Sequence, residues 1–499
     1  MKYESTRGGT TPVSSAAAIK MGIAPDGGLF VPVEEVKLAQ GQLADMREMS
    51  YQERAQSILS LFLTDFSAAE IVSCVGGAYT RDKFDNPRIA PLVKLRDKLH
   101  ILELWHGPTC AFKDMALQIL PHLLTTSVRK TGEEAEIVIL VATSGDTGKA
   151  ALEGFRDVSG TRIIVFYPDE GVSQIQERQM ITQEGANVQV VAVKGNFDDA
   201  QNGVKAIFGD TGFGEELAHH GMKLSSANSI NWGRLVPQII YYISAYLDLW
   251  QAGEIGEGEP VNVVVPTGNF GNILAAFYAR EMGLPIKTLI CAANTNNVLT
   301  DFINSGIYDR NRDFHKTISP SMDILISSNL ERLLYEITDH DAEQVRDWMY
   351  QLQQSGHYQV DDVTRTRIQE VFWSDFATDE ETMTTIRTVY QEYGYLLDTH
   401  TAVGTNVYEK YVKATGDATI TVVASTASPF KFASSVAEAV LGDEVVGEKD
   451  EYSLLQLLSE VSNLAVPQGL RNLDIRPIRH THKTDRHQMA AVVKELLGI

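Results

Sequence analysis

Two largely apolar stretches, each closed by a glycine-rich polar loop, constrain this chain more than any other feature. Residues 137–142 read IVILVA and residues 260–266 read PVNVVVP. Apolar runs without alternation mark strands covered on both faces, which is the condition of a parallel sheet under helices. Behind the first run come Thr143-Ser144-Gly145-Asp146-Thr147-Gly148, then a helical pattern from Lys149 to Phe155. Behind the second come Thr267-Gly268-Asn269-Phe270-Gly271-Asn272, then a helical pattern over 273–280. Further strands are expected at 162–167, 188–193, 286–292 and 418–424, with helical segments between several of them, so the chain should wind as α/β. In such folds ligands sit beyond the carboxyl ends of the strands. Helix starts there offer unpaired N–H groups and a partial positive charge to an anion.

Length and charge narrow the classes. A chain of 499 residues is expected to hold two or three domains. Its 65 acids against 43 bases give a formal charge of −22, which disfavours nucleic acid and anionic membrane as partners. Any phosphate site must be a small basic island. Cys74, Cys110 and Cys291 form no CxxC pair, which argues against a disulfide framework or a zinc site and suits a reducing cytoplasm. No metal ligand set is expected. Residues 1–30 show no secretory pattern, and no apolar stretch reaches the roughly 18 residues a membrane helix needs. Residues 326–395 carry charge with helical apolar spacing and are expected as helices outside the sheet.

Chemistry is concentrated in three further places. Residues 104–114 (LWHGPTCAFKD) set Lys113 between Phe112 and Asp114, after a Gly-Pro turn and before a helical run. A lysine that leaves a turn into a pocket loses hydration, and its lowered pKa makes the amine a nucleophile able to form a Schiff base. Arg234 falls in the first turn of a long apolar helix, just after Asn228 and Ser229, a combination suited to phosphate. Ser425-Thr426 closes the last strand with hydroxyls. The SGDTG loop is not a nucleotide P-loop, because Thr143 stands where the first glycine belongs and Ala150 where Ser or Thr belongs.

WHGPTCAFKD at 105–114 resembles the pyridoxal-phosphate lysine segment of threonine synthases. Tyr3-Glu4-Ser5-Thr6-Arg7-Gly8, APDGGLFVP at 24–32, NSINWGR at 228–234 and STASPFKF at 425–432 resemble further signatures of that family, in the same order. DTHTA at 398–402 does too, with Thr399 in place of an expected proline. The resemblance implies a tryptophan synthase β-like α/β fold (pyridoxal-phosphate fold type II): two α/β domains and an amino-terminal segment. The boundaries expected are 1–95 for that segment, 96–130 and 225–499 for the large domain, and 131–224 for the small one. It implies pyridoxal 5'-phosphate as cofactor and O-phospho-L-homoserine as substrate, converted with water to L-threonine and phosphate by a carbon–oxygen lyase of threonine biosynthesis. By the same resemblance Lys113 is catalytic and holds the cofactor, and Asp146 lies near the cofactor's ring hydroxyl. Gly268, Asn269, Phe270, Gly271 and Asn272 take the cofactor's phosphate, while Thr426 meets its ring nitrogen. Thr143, Ser144 and Thr147 lie along the bound amino acid, and Asn228, Ser229 and Arg234 hold the substrate phosphate. His400 receives no catalytic role. A dehydratase of the same fold would lack the Arg cluster and the YxSTRG start, and a non-catalytic sensor of phosphorylated metabolites would not need Lys113.

Overall fold

The computed structural model describes residues 1–499 apart from Ser144, Gly171 and Glu448. Two parallel sheets form its frame. The larger runs Phe372–Phe376, Ile286–Ala293, Val261–Pro266, Thr421–Ser425, Leu99–Glu103, Leu92–Arg96, parallel throughout except for the last pair. Alternate side chains of one strand feed two different cores. Val263 and Val265 join the core shared with Phe277, and Val264 joins Val403 and Val407 of the helix Thr399–Thr415. A nearly continuous apolar run, broken here only by Asn262, is what two covered faces favour.

The smaller sheet runs His482–Thr484, Val188–Val193, Thr161–Pro168, Glu136–Ala142, Met222–Ser225, all parallel. Its first strand corrects the expected division of the chain. Residues 482–484, assigned with 225–499 to the large domain, pair with Val191, Ala192 and Val193, and Met489 and Val493 of the helix Met489–Leu497 join the same core as Val138 and Leu140. Two more differences concern the large sheet. The antiparallel strands Leu92–Arg96 and Leu99–Glu103 went unforeseen, because Lys94, Arg96, Asp97 and Lys98 break the apolar pattern around a left-handed turn at Lys98 (φ 65°). Phe372–Phe376, inside the region expected as helix, adds an edge strand beside Ile286–Ala293.

The amino-terminal residues share the main core. Tyr3 packs its ring 5.3 Å from Trp232 and donates its hydroxyl to Phe62 O (2.9 Å). Thr6 and Arg7 both bind Glu331, at 2.6 and 2.9 Å. The polar opening motif thus anchors this segment to the helix Leu330–Ile337.

Candidate active site

A cavity of about 640 Å³ lies at the carboxyl ends of strands from both sheets, with Ala142, Ser225, Pro266 and Thr426 in its wall. Lys113 reaches it because its segment is stitched to the end of the strand Thr421–Ser425. Phe112 N donates to Thr426 O (2.8 Å), and Ser428 N donates to Cys110 O (3.0 Å). Cys110 turns the chain in the left-handed region (φ 61°). Asp114 is wholly buried and accepts from Thr109 N (2.8 Å) and Thr109 Oγ1 (2.9 Å); burial holds its pKa up at about 6. A Cβ on Gly107 would fall 2.5 Å from Asp114 Cβ, so the turn requires glycine there.

Burial lowers the pKa of Lys113, against the pull of Asp146 and with help from the positive charges of Lys431 and Arg234. Its Nζ lies 3.5 Å from Asp146 Oδ2 and 3.2 Å from Ser321 Oγ. Asp146 is the hub of the site. Its Oδ1 takes Lys431 Nζ and Gln176 Nε2, each at 2.9 Å, and its Oδ2 takes Ser321 Oγ at 3.1 Å. Burial alone would raise its pKa, but Lys431 and Lys113 overcome this and hold the carboxyl well below the usual range. Lys431 is itself fully buried and donates to Thr109 O (2.8 Å), so one ion pair ties the Lys113 segment to the helix Asp146–Phe155.

Two buried donors that line the cavity at separate helix starts have no hydrogen-bond partner among the described residues. One is Asn272 Nδ2, at the beginning of Gly271–Glu281. The hydroxyls of Tyr241 and Tyr242 both point at Asn272 Oδ1, which commits the amide's acceptor and leaves its donor over. Beside it the first backbone N–H groups of the helix have no intrahelical acceptor. A Cβ on Gly268 would meet Ser321 O at 2.7 Å, so this loop packs against its neighbour as closely as glycine allows. The other donor is Arg234 Nε, on a residue 4% exposed whose Nη1 donates to Ala227 O (2.9 Å). Burial pushes this guanidinium down to about 10. Unpaired buried donors are costly to keep, and both helix starts have the donor chemistry of an anion site.

The structure brings the expected residues round this one cavity: Lys113, Thr143, Asp146, Thr147, Asn228, Ser229, Arg234, Gly268, Asn269, Phe270, Gly271, Asn272 and Thr426 all line it. Ser144 lies outside the described residues. Thr143 Oγ1 accepts from Gly145 N (3.0 Å) and Gly148 N (2.9 Å), so its oxygen shapes the loop and helix start. Ser425 Oγ takes Trp105 Nε1 (3.1 Å) and Thr401 Oγ1 (3.0 Å), and of the two hydroxyl residues at this strand end it is Thr426 that lines the cavity.

Sequence reasoning missed Ser321, and it missed that His400 stands behind it. His400 Nε2 accepts from Ser321 N (3.1 Å), while His400 Nδ1 faces the buried Asp398 Oδ1 (3.1 Å). Lys431 was visible only as a letter within STASPFKF. Ser321 lies in a turn without a motif, and the nearest signal is the Ser319-Pro320-Ser321 turn chemistry itself.

Comparisons with known proteins match three successive regions. Residues 2–79 match the family described as threonine synthase N terminus, 84–361 match pyridoxal-phosphate dependent enzyme, and 401–493 match threonine synthase, C-terminal. Threonine synthase of Saccharomyces cerevisiae is 38% identical over 468 residues, covering 88% of this chain and 89% of the yeast protein. Threonine synthase-like 1 of Homo sapiens is 42% identical over 438 residues, covering 86% of this chain and 58% of the human protein, so the chain spans about three fifths of that relative's length. A crystal structure of pyridoxal-phosphate-bound threonine synthase from Brucella melitensis superposes with a TM-score of 0.88 at 37% identity, covering 100% of this chain and 98% of that one.

Proposed function

We infer, from a chain that belongs to the threonine synthase family of pyridoxal-phosphate-dependent enzymes, that it converts O-phospho-L-homoserine and water into L-threonine and inorganic phosphate. The observation that carries this reading is the pair of buried unpaired donors, Asn272 Nδ2 and Arg234 Nε, on one cavity with Lys113. One anion site serves the cofactor's phosphate. A second, separate from the 143–148 loop that faces the amino acid itself, suits a substrate that is phosphorylated too.

Lys113 would hold the cofactor covalently through its amine, and the 267–272 loop with Asn272 would hold its phosphate. Thr426 would offer a neutral hydroxyl to its ring nitrogen, and the Asp146–Lys431 pair would face its ring hydroxyl. When bound, pyridoxal phosphate supplies an electron sink for charge left on the substrate's carbon. Everything else falls to side chains. The lowered pKa of Lys113 leaves more of its amine neutral near pH 7, able to take a proton from the substrate and return it. Ser321 Oγ, within reach of both Lys113 and Asp146, keeps that amine aimed and offers a short proton route. Arg234, with Ser229 and Asn228, grips the phosphate and holds it more tightly as it leaves with added charge. We place the enzyme in the cytoplasm, where its three buried free thiols stay reduced.

The test is direct. Purified protein supplied with pyridoxal phosphate and O-phospho-L-homoserine should release threonine and phosphate in equal amounts. Phosphate without threonine, or turnover of unphosphorylated homoserine or threonine in its place, refutes the assignment.

A further inference from the structure

Arg332 is a wholly buried guanidinium, 0% exposed, and its donor bonds end on neutral oxygens. Its Nε donates to Phe30 O (3.0 Å), Nη1 to Asn329 Oδ1 (2.6 Å) and Nη2 to Ile230 O (2.6 Å). The neighbouring carboxylate, Glu331, is taken by Arg7 and Thr6. The guanidinium lies 5.7 Å from the Trp232 ring centroid.

These contacts span three segments far apart in the chain. Ile230 follows Ser229 and precedes Asn231, the cap of the helix that carries Arg234. Asn329 holds the other loop, because its N (3.1 Å) and Nδ2 (3.0 Å) both donate to Asn269 O. Phe30 belongs to the amino-terminal sheet. Neither Arg332 nor Asn329 is among the residues lining the cavity. Burying a cation against carbonyls is a poor way to gain stability, since apolar residues of similar volume often do as well or better. What a guanidinium alone provides is a rigid planar fork that holds several acceptors at fixed spacing.

We propose that Arg332 is a positioning residue that holds both the 228–234 loop and the 267–272 loop, so that the two phosphate sites are kept in register. The proposal rests on the reading of those loops given under the proposed function. Through Nη2 the guanidinium sets the carbonyl beside Ser229, and through Nη1 and Asn329 it sets the carbonyl of Asn269. Loosening it therefore disturbs both anions, whereas loosening Asn329 frees Asn269 but leaves Arg332 its bonds to Phe30 O and Ile230 O, so the cofactor's anion bears the loss.

The experiment uses full-length protein in wild-type form and as Arg332→Met, Arg332→Lys and Asn329→Ala. For each, the Ki of inorganic phosphate against O-phospho-L-homoserine, the KM and kcat of the holoenzyme, and the cofactor Kd by equilibrium dialysis are measured. Arg332→Met should weaken inorganic phosphate and cofactor each by about tenfold or more, with KM rising more than kcat falls. Arg332→Lys should fail to rescue either, because it restores the charge without the fork. Asn329→Ala should weaken the cofactor by a similar factor and leave the phosphate Ki within about twofold. A change in folding stability alone would move none of these constants per folded site. Wild-type constants in Arg332→Met, full rescue by lysine, or equal shifts of both anions in Asn329→Ala would each overturn the proposal. If Arg332→Met does not fold, the split in Asn329→Ala decides. A wild-type protein that fails to bind inorganic phosphate counts against the proposed substrate, and the cofactor Kd of the variants still tests the link through Asn329.

Discussion

Replacing Arg234 by leucine separates binding from stability in a way the structure lets us size. The guanidinium is 4% exposed, and its drop from an ordinary value of 12.5 to about 10 corresponds to about 3 kcal/mol of charge desolvation. Leucine removes that cost. Against it stands Ala227 O, which loses the donor recorded at 2.9 Å and is left wanting by about 1–3 kcal/mol. The two nearly cancel, so the melting temperature measured without substrate should stay put or rise slightly. Function should not stay put. Loss of one partner of a buried charged pair costs about 2–5 kcal/mol, or roughly 30-fold to several thousandfold in kcat/KM. The net charge of −22 makes the loss harder to offset, since the surface at large repels a dianion. The assay is continuous phosphate release from O-phospho-L-homoserine, with inorganic phosphate as competitor and the cofactor Kd as control. We expect a steep fall in kcat/KM, a weakened competitor, and a cofactor Kd changed by no more than a few-fold. A large drop in melting temperature with an unchanged phosphate Ki would show that Arg234 only props up Ala227. Lost cofactor with retained substrate affinity would mean that the two anion sites are reversed.

Other expectations follow from the same geometry. Lys113→Ala should abolish turnover yet leave cofactor binding measurable by dialysis, because the phosphate loop is intact; retained turnover would remove Lys113 from the mechanism. Ser321→Ala should lower kcat and shift the acid limb of the kcat profile, since the amine loses a hydroxyl at 3.2 Å; an unaltered profile would make Ser321 a bystander. Thr426→Asp should change the cofactor's visible absorbance and the ratio of threonine to 2-ketobutyrate, whereas identical spectra and products would show that Thr426 does not meet the ring. His106 supplies a pH test of stability. Burial would lower its pKa, but Asp85 at 2.6 Å and Glu103 at 2.8 Å overcome this and raise it to about 9. A raised pKa stabilises the fold fully below the unfolded value of about 6.5 and loses that contribution as pH climbs through about 9. The wild-type melting temperature should therefore fall over that window more than that of His106→Gln, and parallel curves would contradict the assignment.

What the sequence discloses and what it hides divide along a physical line. Strands buried on both faces are mostly apolar along their length, so residues 137–142 and 260–266 announce themselves in spite of the buried Asn262, and the loops behind them follow. Lys113 is legible because its turn is local: Gly107, Cys110 and Asp114 all lie within six residues of it. Ser321 is not, because its place depends on partners far away in the chain. Asn294 and Asn296 both donate to Asp323 Oδ1, at 2.8 and 2.9 Å, which pins the turn holding Ser321 from a distance no local pattern reports. Arg332 reads in sequence as an ordinary helical charge, and only its three carbonyl partners reveal otherwise. The strands at 92–103 stayed hidden for the opposite reason. Leu92–Arg96 is the sheet edge, where charge is tolerated, and Leu99–Glu103 beside it is a short run carrying His100 and Glu103.

The return of residues 482–484 to the small sheet sets a timetable for the growing chain. Val188–Val193 has a neighbour in Thr161–Pro168 almost as soon as it is made, but its other edge waits for His482–Thr484. About 290 residues separate the paired positions, so at roughly 5–20 residues per second that edge stays open for about 15–60 s of synthesis. An apolar strand with free N–H and C=O groups is a template for the wrong partner during that interval. Yield in a cell should then depend on how fast ribosomes traverse the stretch between residues 193 and 484, a sensitivity that no property of the finished enzyme would betray.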